Sequence, residues 1–514
     1  MQGLIDTTMR EAGFGAFVEH PEGLPARRKA AVKSSIIRAI PVPLTSSGSQ
    51  QTSTSTLARK LRLTDYFTLG WGTMVGVGWL VIMDDWLQRG GALGALLGFL
   101  IGGAVLLPVG WVYGRLVVAM PDAAGEIAYT SAVFPRGVSF ATGWMMTLAY
   151  FIVCPWEAVA VGRIAGYILP GLDSMELYRI AGRPVYLPHV VIGLGLTALL
   201  TVLNYRGIRL SATFQNWTSF GTLGLFFIFV GLGVSRGSPA NFPPLFTHAP
   251  LVSILLVIQI VPYFMTGFES VGKAAEEASA DFRAGGFFRA IWMAIFVGTL
   301  FYACIVAAVA FVAPWHGLLG EKFMTAVAFQ QAVGARWIVN IILAAALLSL
   351  FKCFNGNFVA ASRLLFALGR RGMVDSRVGT VHTRHQTPST AVLWIGAAAA
   401  ICMLLGDAIL VPITEVGSVA CAVGWSATCA AYLALGATGK VRLSMTQYCV
   451  AAFGLLVGVV MALMKIVPFV PGHFSLYEWI ALGVWILIGA AAATMRGQRV
   501  HQESVIAKQF GETR

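Results

Sequence analysis

A chain of 514 residues with 57% apolar residues, 11% charged residues and a mean hydropathy of +0.75 has too little charge to wet the surface of several soluble domains, where about a quarter of residues are charged. A soluble enzyme is nearly excluded, and a polytopic membrane protein is indicated. The 36 Lys+Arg against 23 Asp+Glu give a formal +13, which could serve nucleic acid or a membrane, so the placement of the charges decides.

Residues 1–60 differ from the rest. The stretch LTSSGSQQTSTSTL at 44–57 is polar and of low complexity, with nothing to bury, and is predicted to be a disordered tether. The 43 residues before it read as an unstructured arm, with a short amphipathic segment on the membrane as the alternative. The opening MQGLIDTTMREAGFGAF lacks the basic and apolar regions of a cleaved signal, so the first span is expected to act as its own insertion signal.

Runs of about 20 mostly apolar residues, the length of a helix that crosses a ~30 Å hydrocarbon layer, fall at 66–87, 92–119, 138–168, 189–204, 212–234, 252–270, 289–313, 336–366, 389–406, 409–436, 446–466 and 475–495. These twelve predicted spans put both termini on one side. The arm, the tail and alternate loops hold 27 of the basic residues, the opposite loops hold seven, and Arg163 and Lys352 fall inside spans. By the positive-inside rule both termini are cytoplasmic, in a multi-pass protein of the inner or plasma membrane. The +13 is therefore a topology signal, and no basic patch is left for nucleic acid.

All seven Cys lie in apolar spans without CxxC spacing, so neither a disulfide framework nor a zinc site follows. The eight His sit in loops or near span ends, and no metal cluster is indicated. No HExxH, GxSxG or P-loop is present, which speaks against protease, hydrolase and ATP-driven pump.

Two spans depart from plain apolar helices. The first reads LGWGTMVGVGWLV and the sixth IQIVPYFMTGFESVGKAAEE, both interrupted by composition. Glycine in membrane helices mostly permits close packing. Interruptions at matching places in two halves of a chain, however, point to a binding site between inverted repeats. The expected fold is an all-α polytopic membrane protein of twelve transmembrane helices. A five-plus-five inverted repeat at 61–436 has broken helices 1 and 6, two further helices occupy 437–495, and a tail occupies 496–514.

These segments resemble the amino acid/polyamine/organocation superfamily of secondary transporters. Span 1 has the family's Gly-x-Gly at Gly76-Val77-Gly78. MPDAAGEIAYTSAVFPR at 120–136 is similar to the family's Pro-x-x-Gly-Gly-x-Tyr segment, with Ala124 in place of the first Gly and Gly125, Glu126 and Tyr129 retained. GFESVGKAAEEASADFR at 267–283 looks like the family's Gly-Phe-Glu, Glu-Glu and Asn-Pro-x-Arg, with Ala280-Asp281 replacing Asn-Pro. ASRLLFALGRRGMV at 361–374 and HTRHQTP at 382–388 complete the likeness, which covers roughly 62–435. It implies the LeuT-type arrangement and a small amine or amino acid as substrate, with no cofactor and no covalent chemistry.

A break at 75–78 (Val75, Gly76, Val77, Gly78) would expose amides suited to a carboxylate, and glycine lets a ligand approach the backbone. Unwinding around Phe264, Met265 and Thr266, before Gly267, would free carbonyls for an ammonium. The resemblance implies that Tyr263 covers the substrate; otherwise it is a packing aromatic. Ionisable groups inside a span are costly, about 2.5–3.5 kcal/mol or more at a helix centre for Asp, Lys or Arg. Glu157 is therefore a candidate to read a cationic substrate group or carry a proton, with pairing to Arg163 as the plain alternative. Glu269 is the carboxylate of Gly-Phe-Glu and a candidate for gating, with Lys273 at i+4 as a simple partner.

Relatives of this fold place sodium, or a lysine from span 5, between spans 1 and 8. Here the aligned span-5 position is Thr222, and Lys352 stands in span 8. Its ammonium is expected to replace sodium and make transport proton-linked or an exchange, with pairing to Glu157 as the alternative. Arg363, Arg370, Arg371, Glu276, Glu277 and Arg283 are expected to form ion pairs at the cytoplasmic end. A non-transporting sensor and a channel are the rivals, and the lack of polar stripes in the other spans speaks against a channel.

Overall fold

The computed structural model describes residues 59–511, with side chains to Thr494 apart from that of Ile208. The predicted arm lies outside the described residues except for its last two positions, as do residues 512–514. In chain order the main elements are α1 (Leu63–Met74), α2 (Gly78–Val81), α3 (Met83–Ala119), α4 (Glu126–Ser131), α5 (Arg136–Phe151) and α6 (Val153–Ile168). A two-stranded antiparallel hairpin, β1 (Glu176–Ile180) and β2 (Arg183–Tyr186), leads to α7 (Leu187–Arg206) and α8 (Ile208–Arg236). Then come α9 (Pro250–Ile258), α10 (Val261–Met265), α11 (Ser270–Lys273), α12 (Gly285–Val312), α13 (Met324–Val333) and α14 (Trp337–Arg370). The chain continues with α15 (Ser389–Cys402), α16 (Leu410–Ala437), α17 (Met445–Ile466) and α18 (Leu476–Gly511).

Among the described residues, nine helices are long and apolar enough to cross a membrane. The difference from twelve apolar runs has a physical origin. Predicted spans 1 and 6 are cut into pieces too short to cross, and α15 and α16 form one long stretch, Ser389–Ala437, kinked at Gly406 (φ 60°). The end of predicted span 1 also continues as helix into span 2, with a kink at Gly91 inside α3. Pro155 stands three residues into α6, just after the joint with α5, where its missing N–H removes one helical hydrogen bond.

The buried centre is α3, α5, α6, α12 and α14, with α12 packed along α3. Gly98 and Gly102 of α3 let α9 and α10 approach closely, because a Cβ at either position would strike Val257 or Val261. α7, α8 and α18 keep most of their apolar surface exposed, as helices facing lipid do.

Candidate functional site

The α1 helix ends because Val75 is extended (φ −96°, ψ 95°), and Gly76 and Val77 leave the helical path before α2 begins at Gly78. The break therefore falls at 75–77, as the Gly-Val-Gly pattern predicts. It frees carbonyls that no residue of α1 or α2 can satisfy, and side chains from α12 and α14 satisfy them. Tyr302 donates to Met74 O at 2.9 Å, Cys353 and Asn357 to Thr73 O at 3.2 and 2.9 Å, and Ser349 to Val75 O and Gly76 O at 3.1 and 2.8 Å. The Lys352 ammonium also donates to Val75 O and stands 4.5 Å from the centre of the Trp71 ring.

Ser349, Lys352, Cys353 and Asn357 share one face of α14 at helical spacing. The sequence reading, which credited no polar stripe outside the broken spans, missed this one, although the run SLFKCFNGN carries it. The Thr222 hydroxyl donates to Thr218 O of its own helix at 2.8 Å rather than to a carbonyl of the break.

Glu157 projects from α6 into the break. Val77 N–H donates to Glu157 Oε1 at 3.4 Å, so a carboxylate of the protein itself takes the amide expected to meet a substrate carboxylate. A Cβ on Gly76 would collide with that oxygen and with Cys353 Sγ, so any larger residue there must push both side chains aside. Glu157 Oε2 and the neighbouring Tyr263 hydroxyl are buried without hydrogen-bond partners. The ion-pair alternatives for Glu157 do not form: Arg163 binds Asp407 at 3.2 Å, and no Lys352–Glu157 pair exists within 4.0 Å among the described residues.

The sixth span breaks later than predicted. Tyr263 and Phe264 lie in helical α10, and the chain leaves the helix over 266–269, between α10 and α11. Proline at 262 and a left-handed Gly267 (φ 142°) explain the shift, since only glycine adopts that conformation without strain. Phe264 packs edge-on against Trp86 and Tyr302, with centroids 4.8 and 5.8 Å away, and Thr266 Oγ1 lies 2.5 Å from Cys421 Sγ. Glu269 is not paired with Lys273 as the i+4 spacing suggested. Its carboxylate accepts from the Gly267 amide at 3.1 Å and the Trp425 indole at 3.2 Å, while Lys273 binds Glu126 at 2.7 Å.

Val75, Gly76, Val77, Gly78, Glu157, Tyr263, Phe264, Thr266 and Gly267 are thus gathered and buried. Thr73, Gly76, Glu157, Tyr263, Thr266 and Asn357 help to line one small cavity between the two breaks, whose space for water centres is ≈ 20 Å³. That accommodates about one water, so an amino acid enters only if the walls move apart. Lys352 lies against the break behind Cys353 rather than among the lining residues. Glu269 lies beyond the second break, on the side of α11.

Both ends of the site are tied shut. At the end carrying the basic loops, Leu61 and Ala278 form a bridge, Tyr66 donates to Ala274 O at 2.8 Å, and the buried Arg363 meets Glu277 at 2.9 Å. Arg370 binds Glu276 at 3.0 Å and Arg371 binds Asp122 at 2.7 Å. The expected network therefore forms with Asp122 added, and without a recorded ion pair for Arg283 among the described residues. At the far end Arg89 bridges Asp85 and Glu415 at 2.8 and 2.9 Å, and Lys465 also binds Glu415. No group of three or more His, Cys, Asp or Glu is gathered as metal ligands among the described residues.

Comparison with known proteins agrees with this architecture. The family model for amino acid permeases matches residues 61–491. The chain is 25% identical over 371 residues to the branched-chain amino acid permease BcaP of Bacillus subtilis, covering 70% of this chain and 76% of that protein. It is 24% identical over 363 residues to the methylthioribose transporter of the same species, covering 68% and 76%. Against the gamma-aminobutyric acid permease of Escherichia coli it is 27% identical over 325 residues, covering 59% and 64%. With two broken helices facing each other across a small cavity and a family match over most of its length, the chain belongs to the amino acid permease family of multi-pass membrane transporters.

Proposed function

We propose that this protein is a secondary active transporter of amino acids or related organic amines across the inner or plasma membrane. It works by alternating access around the breaks at 75–77 and 266–269, in a twelve-span, five-plus-five inverted-repeat fold with both termini cytoplasmic. The observation that carries this reading is the facing pair of breaks, with Glu157 and Lys352 held at the first. Lys352 places its side-chain nitrogen at the carbonyl end of α1, where a helix dipole favours a cation. Transport is accordingly sodium-independent, and either proton-coupled or an exchange.

A narrower reading is favoured by Glu157. Its carboxylate already takes the Val77 amide, and its free oxygen lies near the free Tyr263 hydroxyl. Those two acceptors suit an amine, so an amine-selective permease or exchanger is the second reading.

The test is uptake and counterflow in liposomes holding the purified protein, after a thermal-shift screen of amino acids, polyamines and small amines. Saturable counterflow that ignores sodium is expected. Stabilisation by a ligand without any flux would instead mark a sensor. Uptake that follows a sodium gradient and ignores pH would overturn the role given to Lys352.

A further inference from the structure

Beyond the break in the sixth span lies a second buried set of ionisable groups. Glu126 of α4, Glu269 at the start of α11 and Lys273 at its end are at most 1% exposed. The Lys273 ammonium donates to Glu126 Oε1 at 2.7 Å and to Glu269 O at 3.3 Å, and stands 4.6 Å from the centre of the Tyr150 ring. Tyr113 donates to the same Glu126 oxygen at 2.8 Å and accepts from Thr428 at 3.1 Å. Glu126 Oε2 is buried with no partner at all. Glu269 meets only the neutral donors Trp425 and Gly267.

Two buried carboxyl groups therefore stand beside one ammonium, which pairs with Glu126 and leaves Glu269 without a charged partner. The other titratable groups facing them are Tyr113 from α3, Tyr129 from α4, Tyr150 from α5 and Cys421 from α16, and none of these is a cation. A net negative charge without water or counter-charge is strongly disfavoured there, and one bound proton removes it.

We propose that the Glu126–Lys273–Glu269 cluster is a proton-binding site that couples transport to a proton gradient; this rests on the transport reading above. The cluster is divided between a frame and a moving part. Glu126, Tyr113 and Trp425 belong to α4, α3 and α16, whereas Lys273 and Glu269 flank the four-residue α11, which joins α10 through left-handed Gly267. A swing of α11 about Gly267 parts Lys273 from Glu126 and opens the cluster to water. Glu126 then takes a proton from hydronium onto a carboxylate oxygen, and the return of Lys273 displaces that proton to the Glu269 carboxylate, so that the closed cluster carries no net charge. The sequence offered a signal, since Glu126 follows Gly125 in one motif and Lys273 interrupts the other, but nothing in it joined the two.

The experiment compares the wild type with the double variant Glu126→Gln/Lys273→Met in liposomes, using a labelled amino acid mixture and labelled putrescine as probes. Counterflow at equal pH reads transport, and accumulation under a pH gradient reads coupling. The pair is removed together and Glu269 keeps the two neutral donors it already has, so counterflow is expected to stay within about threefold of wild type. Accumulation is expected to fall about tenfold or more, the scale of a typical coupling free energy. Accumulation at the wild-type level overturns the proposal and leaves a purely structural ion pair, as does loss of both activities. A wild type that exchanges substrate but ignores the pH gradient overturns the proton site alone. A wild type with neither activity overturns the transport reading, and the proton site with it.

Discussion

The two helix breaks are stabilised by different parts of the molecule. At 75–77 the freed groups are carbonyls, and residues far along the chain satisfy them: Tyr302 from α12 and Ser349, Lys352, Cys353 and Asn357 from α14. At 266–269 the Gly267 amide is satisfied from within the segment, by Glu269 two residues on, and Ser270 donates back to Gly267 O at 2.5 Å. The first break depends on the packed bundle around it and keeps its shape only while α14 stays in place. The second carries its own hydrogen bonds, and so is the one able to move as a unit.

The sharpest way to break this contrast is to remove Lys352. Lys352→Met takes away the ammonium at Val75 O and leaves Glu157 buried with no cation near it. Transport in liposomes is expected to fall by on the order of 100-fold, the scale of deleting a charged partner from a buried hydrogen-bonded site. Activity within a few fold of wild type would mean that Tyr302, Ser349, Cys353 and Asn357 hold the first break without the ammonium.

Alanine at the two glycines separates the breaks by stability. At Gly267 a Cβ would meet the backbone of Met74 and Gly70 in a left-handed conformation, and neither can yield. At Gly76 it would meet only the ends of Glu157 and Cys353. Gly267→Ala is expected to lower thermal stability by about 2–4 kcal/mol, from backbone strain plus overpacking. Gly76→Ala is expected to cost about 1 kcal/mol, with a larger loss of ligand binding than of stability. Equal melting temperatures for the two variants would remove the distinction. A smaller effect belongs to Trp425→Phe, which deletes one of the two donors to Glu269. A change of about tenfold or less in transport rate is expected, as for a single buried hydrogen bond, with ligand binding unchanged.

Much of this was legible in the sequence, for physical reasons that differ by residue. Glycine and proline alter the backbone locally, so Gly76, Gly78, Pro262 and Gly267 announced both breaks. A charge in an apolar run is costly enough to stand out, so Glu157, Glu269 and Lys352 did too. Partnership was not legible, because it depends on packing between distant segments. Lys273 is four residues from Glu269 yet binds Glu126, 147 positions away, and Arg163 turns to Asp407. The carbonyl-capping side chains of α14 were hidden for a related reason. Serine and cysteine can bond back to their own helix and so stand out little in an apolar run, and Asn357 shows its partner only once the broken α1 lies against it.

The basic end offers the mildest test, because it asks how much its ion pairs add to the bonds already made by the backbone. Glu276 lies outside the spans, on the turn after α11. Burial alone would raise its carboxyl, but the hydrogen bond and charge of Arg370, the Ala123 amide and Arg371 together hold it below its ordinary value. A carboxyl depressed on folding stabilises the folded form above its unfolded value and stops doing so as pH falls through the depressed one. Wild-type melting temperature is therefore expected to exceed that of Glu276→Gln at neutral pH and to converge on it from about pH 5 downward. Both Arg370 and Glu276 are partly exposed, so the difference at neutral pH is expected to be about 1 kcal/mol or less, and smaller still in 1 M salt, where screening acts over about 3 Å. The Leu61–Ala278 bridge and the buried Arg363–Glu277 pair would then carry most of the closure. A gap that persists unchanged in acid would show that Glu276 acts through packing rather than charge.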